Sequence, residues 1–283
     1  MSTSTARRRM PAGGWVGAII VAAVAAVALL SAVWLPFDPN HAEPAARLAG
    51  PGAEHLLGTD RFGRDVASRL AAGARVSLAV AAGATAISAA LGIPAGLIAA
   101  QAGGAARRVV LGVADLVVAV PALLMAIVAA AIAGPSTTTS LVAIGVAGAP
   151  SFARVALAGA RAILSPDFVA AARLSRPGRL SGLRVALVHV LPGIAGLMAV
   201  QASITAALAI LAEAGLSFLG LGTPPPLASW GRMLNDAQDH LATAPHLAAA
   251  PGLAIALTVL GLALLGDGLR DAAGGPAAGR GRR

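Results

Sequence analysis

The chain has no cysteine among its 283 residues, so disulfides, thiol chemistry and thiolate metal sites are excluded. It has no lysine either, and all 21 of its Lys/Arg positions are arginine. A phosphate-gripping P-loop ends in Gly-Lys-Ser/Thr, and its lysine reaches the terminal phosphates, so a standard Walker A site cannot form here. Any ATP hydrolysis the chain depends on must occur on another subunit. Aromatic residues make up 3% and charged residues 12% of the sequence. That leaves little for nucleic-acid bases to stack on and too little polarity to cover a soluble domain. Catalytic signatures are equally sparse. His41, His55, His189, His240 and His246 are scattered, none forms a His-Glu-x-x-His pair for zinc, and there is no Gly-x-Ser-x-Gly elbow.

Hydrophobic residues are 57% of the chain, which identifies an integral membrane protein in contact with lipid. A hydrocarbon core needs roughly 20 apolar residues in a helix. Six stretches meet that length: residues 15–35, 76–100, 109–133, 141–160, 194–215 and 247–265. The first follows Arg7, Arg8 and Arg9 but is too long for a signal-peptide core, and Trp34-Leu35-Pro36 offers no small-residue cleavage site, so it reads as a retained helix. The net charge of +9 comes from arginines in short loops and tails, the pattern of the positive-inside rule rather than of a nucleic-acid binder. With six spans both termini share a side. Fifteen arginines fall on that side and six (Arg47, Arg61, Arg64, Arg69, Arg75 and Arg232) on the other, which places both termini and the loop 165–192 in the cytoplasm. Loops 38–75 and 222–246 then face outward.

The resulting organisation is a basic cytoplasmic tail (1–14), a first transmembrane helix (15–35), an extracytoplasmic loop (36–75), a five-helix transmembrane domain (76–271) and a second tail (272–283). Within the domain, Ser165-Pro166-Asp167-Phe168 reads as a helix start: a serine cap, proline in the first turn and an acid near the positive dipole end. A short helix on the membrane face is expected there, as a surface for a cytosolic partner.

Asp115, Glu213 and Asp267 lie in or at the edges of spans, where charge is expensive enough to raise the question of a proton relay. A plainer reading is available for two of them. Asp115 lies about two turns from Arg107 and Arg108, Asp267 lies three residues from Arg270, and both sit near the cytoplasmic interface, where side chains snorkel. Gly92 and Gly96 share one helix face and permit close backbone approach. Pro94 and Pro121 are positions for kinks inside spans.

Three separated motifs carry a family resemblance. The first is His55-Leu56-Leu57-Gly58-Thr59-Asp60-Arg61-Phe62-Gly63-Arg64-Asp65-Val66, followed by Ser68-Arg69-Leu70 and Gly73-Ala74-Arg75-Val76-Ser77-Leu78. The second is Leu211-Ala212-Glu213-Ala214-Gly215-Leu216-Ser217-Phe218-Leu219-Gly220-Leu221-Gly222, continuing to Ser229-Trp230-Gly231. The third joins Pro251-Gly252-Leu253-Ala254-Ile255 to Leu265-Gly266-Asp267-Gly268-Leu269-Arg270-Asp271. In this order they resemble the C-type permeases of dipeptide and oligopeptide ABC importers, from about residue 55 to residue 271.

The resemblance implies an all-α type I importer permease of six transmembrane helices in the cell membrane. It implies a heterodimer with a B-type permease, two cytosolic ABC ATPases that hold the ATP and Mg, and an extracytoplasmic solute-binding protein. No cofactor is expected on this chain. The implied cargo is a peptide or a related small solute such as nickel. Loop 165–192 is then the coupling segment, represented by Phe168, Ala170, Ala171, Ala172, Arg173, Gly178 and Pro192. Ala170 stands where the family carries glutamate and Arg176 where it carries glycine, and Pro177-Gly178 breaks any helix at that point. Arg61, Asp65, Trp230 and Asp236, on the outward loops, are the implied contacts for the binding protein. From other classes, a secondary transporter or a membrane subunit without coupling remain as alternatives; the former would call for inverted repeats or broken half-helices.

The arginine bias predicts that a tag at either terminus reacts with an impermeant label only from the cytoplasmic side. Labelling of either tag from outside intact cells would overturn the orientation.

Overall fold

A computed structural model describes residues 10–101, 104–164 and 186–272. The described residues form eight α-helices: α1 (Ala12–Leu30), α2 (Val66–Gln101), α3 (Gly104–Ala119), α4 (Ala122–Ala133), α5 (Thr137–Ile163), α6 (Leu191–Phe218), α7 (Trp230–Ala237) and α8 (His246–Ala272). Five of them, α1, α2, α5, α6 and α8, are long and apolar enough to cross a bilayer. With every backbone polar group satisfied inside the segment, helices of this kind suit a hydrocarbon core.

The expected span at 109–133 is instead two helices, α3 and α4, bent by 79° at a short break. The break falls at Pro121, which caps α4 in an extended conformation (φ −54°, ψ 132°). Proline has no amide hydrogen to give the preceding turn and steers its neighbour away from helical geometry. The other intramembrane prolines behave differently. Pro94, Pro150 and Pro251 stay inside continuous helices α2, α5 and α8.

Two other boundaries move. α1 spans Ala12–Leu30 rather than 15–35, and Ser31 closes it by donating from Oγ to the Ala28 carbonyl at 2.8 Å. α2 starts at Val66, ten residues before the apolar stretch, because its first turns are buried beneath a loop rather than in lipid.

Lipid tails are as apolar as leucine, so helices in a membrane associate through close packing rather than through hydrophobic exclusion. The sequence supplies small residues where that packing is needed. A Cβ added at Gly92 would run into the Ala149 carbonyl and Phe152 of α5, and one at Gly96 into the Ala153 carbonyl and Ala156. The shared face read from Gly92 and Gly96 is therefore the α2–α5 contact. α1 lies on α8 in the same way, with Gly14 against Gly268 and Gly17 against Gly261 and Leu265. Large side chains such as Ile19, Leu29, Leu116 and Ile132 point outward. One core, around Val80, Ile144, Ile210, Leu216 and Trp230, fills the bundle toward its loop-rich end, and a second, around Leu97, Phe152, Ile194 and Met198, fills the opposite end.

Gly96→Leu should force α2 and α5 apart and cost about 1–3 kcal/mol, as overpacking does elsewhere. Gly112, whose Cβ would meet nothing within 4 Å, should accept alanine without loss. Thermal unfolding of the detergent-solubilised variants checks both. Equal stability for the two would contradict the packing.

Candidate functional site: an arginine–aspartate cluster at the loop-rich end

The first motif folds into a tight turn ahead of α2. Gly58 (φ 76°) and Gly63 (φ 80°) take left-handed conformations that other residues rarely adopt, and at Gly63 a Cβ would also collide with the backbone of Glu43. Between them, Asp60 Oδ1 accepts hydrogen bonds from the amides of Phe62 (2.8 Å) and Arg64 (3.0 Å). Thr59 pairs with Asp65 across a single antiparallel bridge, and its hydroxyl donates to the Ala46 carbonyl. Asp65 accepts from the Ser68 amide (2.7 Å) in the first turn of α2 and lies 2.9 Å from His55 Nδ1. An aspartate there satisfies an otherwise orphaned helix amide.

The second motif brings α7 onto this turn. Ser229 caps α7 by accepting from the Arg232 amide at 3.2 Å, and Trp230, 2% exposed, donates from Nε1 to the Leu70 carbonyl at 3.0 Å. Asp236, one and a half turns further on, then faces four guanidinium groups. Arg61 Nη2 lies 2.9 Å and Arg64 Nη2 3.3 Å from its oxygens, Arg232 Nε 3.6 Å and Arg69 Nη2 3.9 Å. Asp60 shares two of the same partners, with Arg64 Nε at 2.6 Å and Arg69 Nε at 3.5 Å. Arg69 is 2% exposed and also donates to the Pro39 carbonyl at 2.9 Å. Phe62 lies under the guanidiniums of Arg61 and Arg64, 4.7 and 4.6 Å from its ring centre. Loop, α2 and α7 are thus joined by one buried charge network.

Of the four residues read as outward contacts, Asp65, Trp230 and Asp236 are buried within the chain. Within the chain their side chains hold the turn, α2 and α7 together. Arg61, with a side chain 30% exposed, is the most open of the four. The reading from sequence missed Asp60, Arg64, Arg69 and Arg232 as members of a cluster. A signal was present. The positive-inside rule leaves six arginines on the wrong side unexplained, and four of them, Arg61, Arg64, Arg69 and Arg232, converge here.

The three intramembrane acids have three different settings. Glu213, wholly buried on α6, accepts from Ser217 Oγ at 2.7 Å, Ser77 Oγ at 3.2 Å and Thr223 Oγ1 at 3.5 Å, so hydroxyls tie α6 to α2 and to the following loop. Asp115 pairs with Arg154 of α5 at 2.6 Å, both side chains exposed, rather than with Arg107 or Arg108. Asp267 is exposed near the end of α8, with no ion pair among the described residues. Among the described residues Glu213 meets hydroxyls, Asp115 meets Arg154, and neither touches Asp267. Of the coupling residues, Phe168, Ala170, Ala171, Ala172, Arg173 and Gly178 lie outside the described residues. Pro192 occupies the first turn of α6, where its missing amide is no loss.

The family described as binding-protein-dependent transport system inner membrane component matches residues 92–273. Among curated proteins, a di/tripeptide transport system permease protein, DppC, of Pseudomonas aeruginosa is 38% identical over 266 residues, covering 92% of this chain and 87% of that one. The nickel transport system permease protein NikC of Escherichia coli K12 is 36% identical, with 89% and 90% coverage. The glutathione transport system permease protein GsiD of Pectobacterium atrosepticum is also 36% identical, covering 90% and 84%. A chain from inward-facing structures of the MetNI methionine ABC transporter superposes with a TM-score of 0.59 at 15% identity, over 72% of this chain and 95% of that one, and shares the fold.

Asp236→Ala would leave Asp60 with Arg64 and Arg69 and strip Arg61 and Arg232 of their carboxylate, and removing one partner of a buried pair costs about 3–5 kcal/mol. Asp115→Ala breaks an exposed pair, where losses stay below about 1 kcal/mol. Thermal unfolding of each variant in detergent should rank them in that order, and the reverse ranking would contradict the role given to the cluster.

Proposed function

The chain belongs to the binding-protein-dependent transport system inner membrane component family, a permease of an ABC transporter spanning the inner membrane several times, and from that membership we propose that its cargo is short peptides. One observation carries the proposal: 38% identity across 92% of the chain to a di/tripeptide permease. Relatives at 36% identity carry nickel or glutathione in their names, so the cargo is the part that needs testing. Hydrolysis of ATP belongs to partner subunits, in keeping with a chain that has no lysine for a Walker A loop.

In the proposed assembly a B-type permease completes the translocation path, two cytosolic ATPases bind ATP and Mg, and an extracytoplasmic solute-binding protein delivers the peptide. Both termini and residues 165–192 are cytoplasmic, and the loop-rich end with the arginine–aspartate cluster faces outward. Segment 165–192 is the coupling element between ATPases and bundle, within the domain 76–271. The moving parts are groups of helices that shift as rigid bodies, biased by the nucleotide on the ATPases. Tight glycine contacts make α2 and α5 one such group and α1 and α8 another, while the bent pair α3–α4 packs more loosely. Phe168, in the helix start at Ser165 and Pro166, is proposed as the main anchor on the ATPase.

In cells lacking other peptide uptake, the assembled transporter should accumulate labelled dialanine and not nickel ions. Uptake of nickel without dialanine would overturn the cargo. Phe168→Ala should remove the ATPases from the purified complex and lower uptake at least tenfold, with the chain still inserted. Unchanged copurification would overturn the anchor.

A further inference from the structure

The charge network at the loop-rich end does not balance. Asp60 and Asp236 are shared among Arg61, Arg64, Arg69 and Arg232, which leaves an excess of two positive charges, and among the described residues no other carboxylate lies within ion-pair distance of those guanidiniums. Each of the four has a carboxylate within 4 Å, but Arg61 and Arg232, with side chains 30% and 20% exposed, have only their share of Asp236, so the cluster presents net positive charge on its open side and favours an incoming anion.

Two further observations show where the charge would sit. Arg232 makes no side-chain hydrogen bond among the described residues, its Nε stopping 3.6 Å from Asp236, so its fork of donors is unspent. Beside it lies a cavity of about 250 Å³ lined by Phe62, Arg64, Arg69, Leu227, Arg232 and Asp236. The arginines supply planar forks that suit a carboxylate, and Phe62 and Leu227 give the walls an apolar part for methylene groups. The volume falls below the roughly 300–1,000 Å³ of pockets that enclose a whole small ligand, so it fits one side chain better than a peptide.

We propose that this cavity is a carboxylate-binding site that receives an acidic side chain from a protein docking on the loop-rich face. The assignment of that face as external, and of the partner as a solute-binding protein, rests on the function proposed above; the carboxylate chemistry does not. The buried aspartates act as positioning residues here. They hold Arg64, Arg69 and Arg232 in a fixed array, so an incoming carboxylate meets donors that are already ordered.

The test uses the full chain in lipid nanodiscs, with N-acetylglutamate amide as a probe for an acidic side chain and N-acetylglutamine amide as its neutral match, at constant ionic strength. A ligand that binds the folded state alone raises Tm with concentration. The acidic probe should give a saturable upward shift and the neutral one none. Arg232→Gln, which removes the free fork, and Leu227→Trp, which fills the cavity from a half-exposed position without touching an ion pair, should each abolish the shift. Equal shifts with both probes, or a shift that survives Leu227→Trp, would overturn the site. If the variants fail to fold, the contrast between the two probes on the wild-type chain still decides. Dialanine and its amide separate the other source of a carboxylate: a shift with dialanine alone would mean a cargo subsite and would overturn the docking assignment. A chain that imports peptides yet shows no shift with the acidic probe keeps its permease role and loses this site.

Discussion

Asp236 lies within 4 Å of four arginines, and the loop-rich end of the protein is organised around that contact. Guanidinium groups are planar and carry several donors each, so one buried carboxylate can hold segments that are far apart in the chain. Here it joins α7 to the turn bearing Arg61 and Arg64 and to the first turn of α2. A second carboxylate, Asp60, fixes the turn itself through backbone amides before it meets Arg64 and Arg69. Electrostatics supply the join alongside apolar contacts, since Leu48, Leu57 and Leu221 from the segments leaving α1 and α6 also pack against the core.

Within the bundle a different constraint rules. Contacts made by Gly92, Gly96, Gly14 and Gly268 bring backbones together at distances no larger residue allows, and the leucines and isoleucines are left to face outward. Glu213 marks the seam between the two regimes: its carboxylate collects hydroxyls from α2, from its own helix and from the loop that leads to α7. The same motif that supplies Glu213 also supplies the Ser229 cap and Trp230, so one stretch of sequence anchors α7 at both the membrane and the loop side.

Much of this was legible beforehand. Apolar length identified the membrane helices, and the helix-breaking chemistry of Pro121 was visible even though the span around it was read as one helix instead of the bent pair α3–α4. Hydropathy alone averages over such a break, since both halves are apolar. The family was legible from three motifs in order, and the matched range 92–273 together with the permease relatives agrees with it. The roles of Asp65, Trp230 and Asp236 were not, because a polar residue in a loop looks the same in sequence whether it faces water or a buried guanidinium. Arg69 shows why: it lies four residues into α2, and its burial follows from a partner 167 positions away. Long-range pairing of this sort leaves no local pattern, only the surplus of arginine on the side where the orientation rule expects little.

The most direct measurement of the cluster's role is hydrogen–deuterium exchange on the intact chain in nanodiscs, read at the amides of residues 58–66. If the arginine–aspartate network locks the turn, the amides of Asp60, Phe62, Arg64 and Val66, each hydrogen-bonded within it, should exchange as slowly as the first amides of α2. Exchange at the rate of an unstructured peptide across this segment would contradict the account.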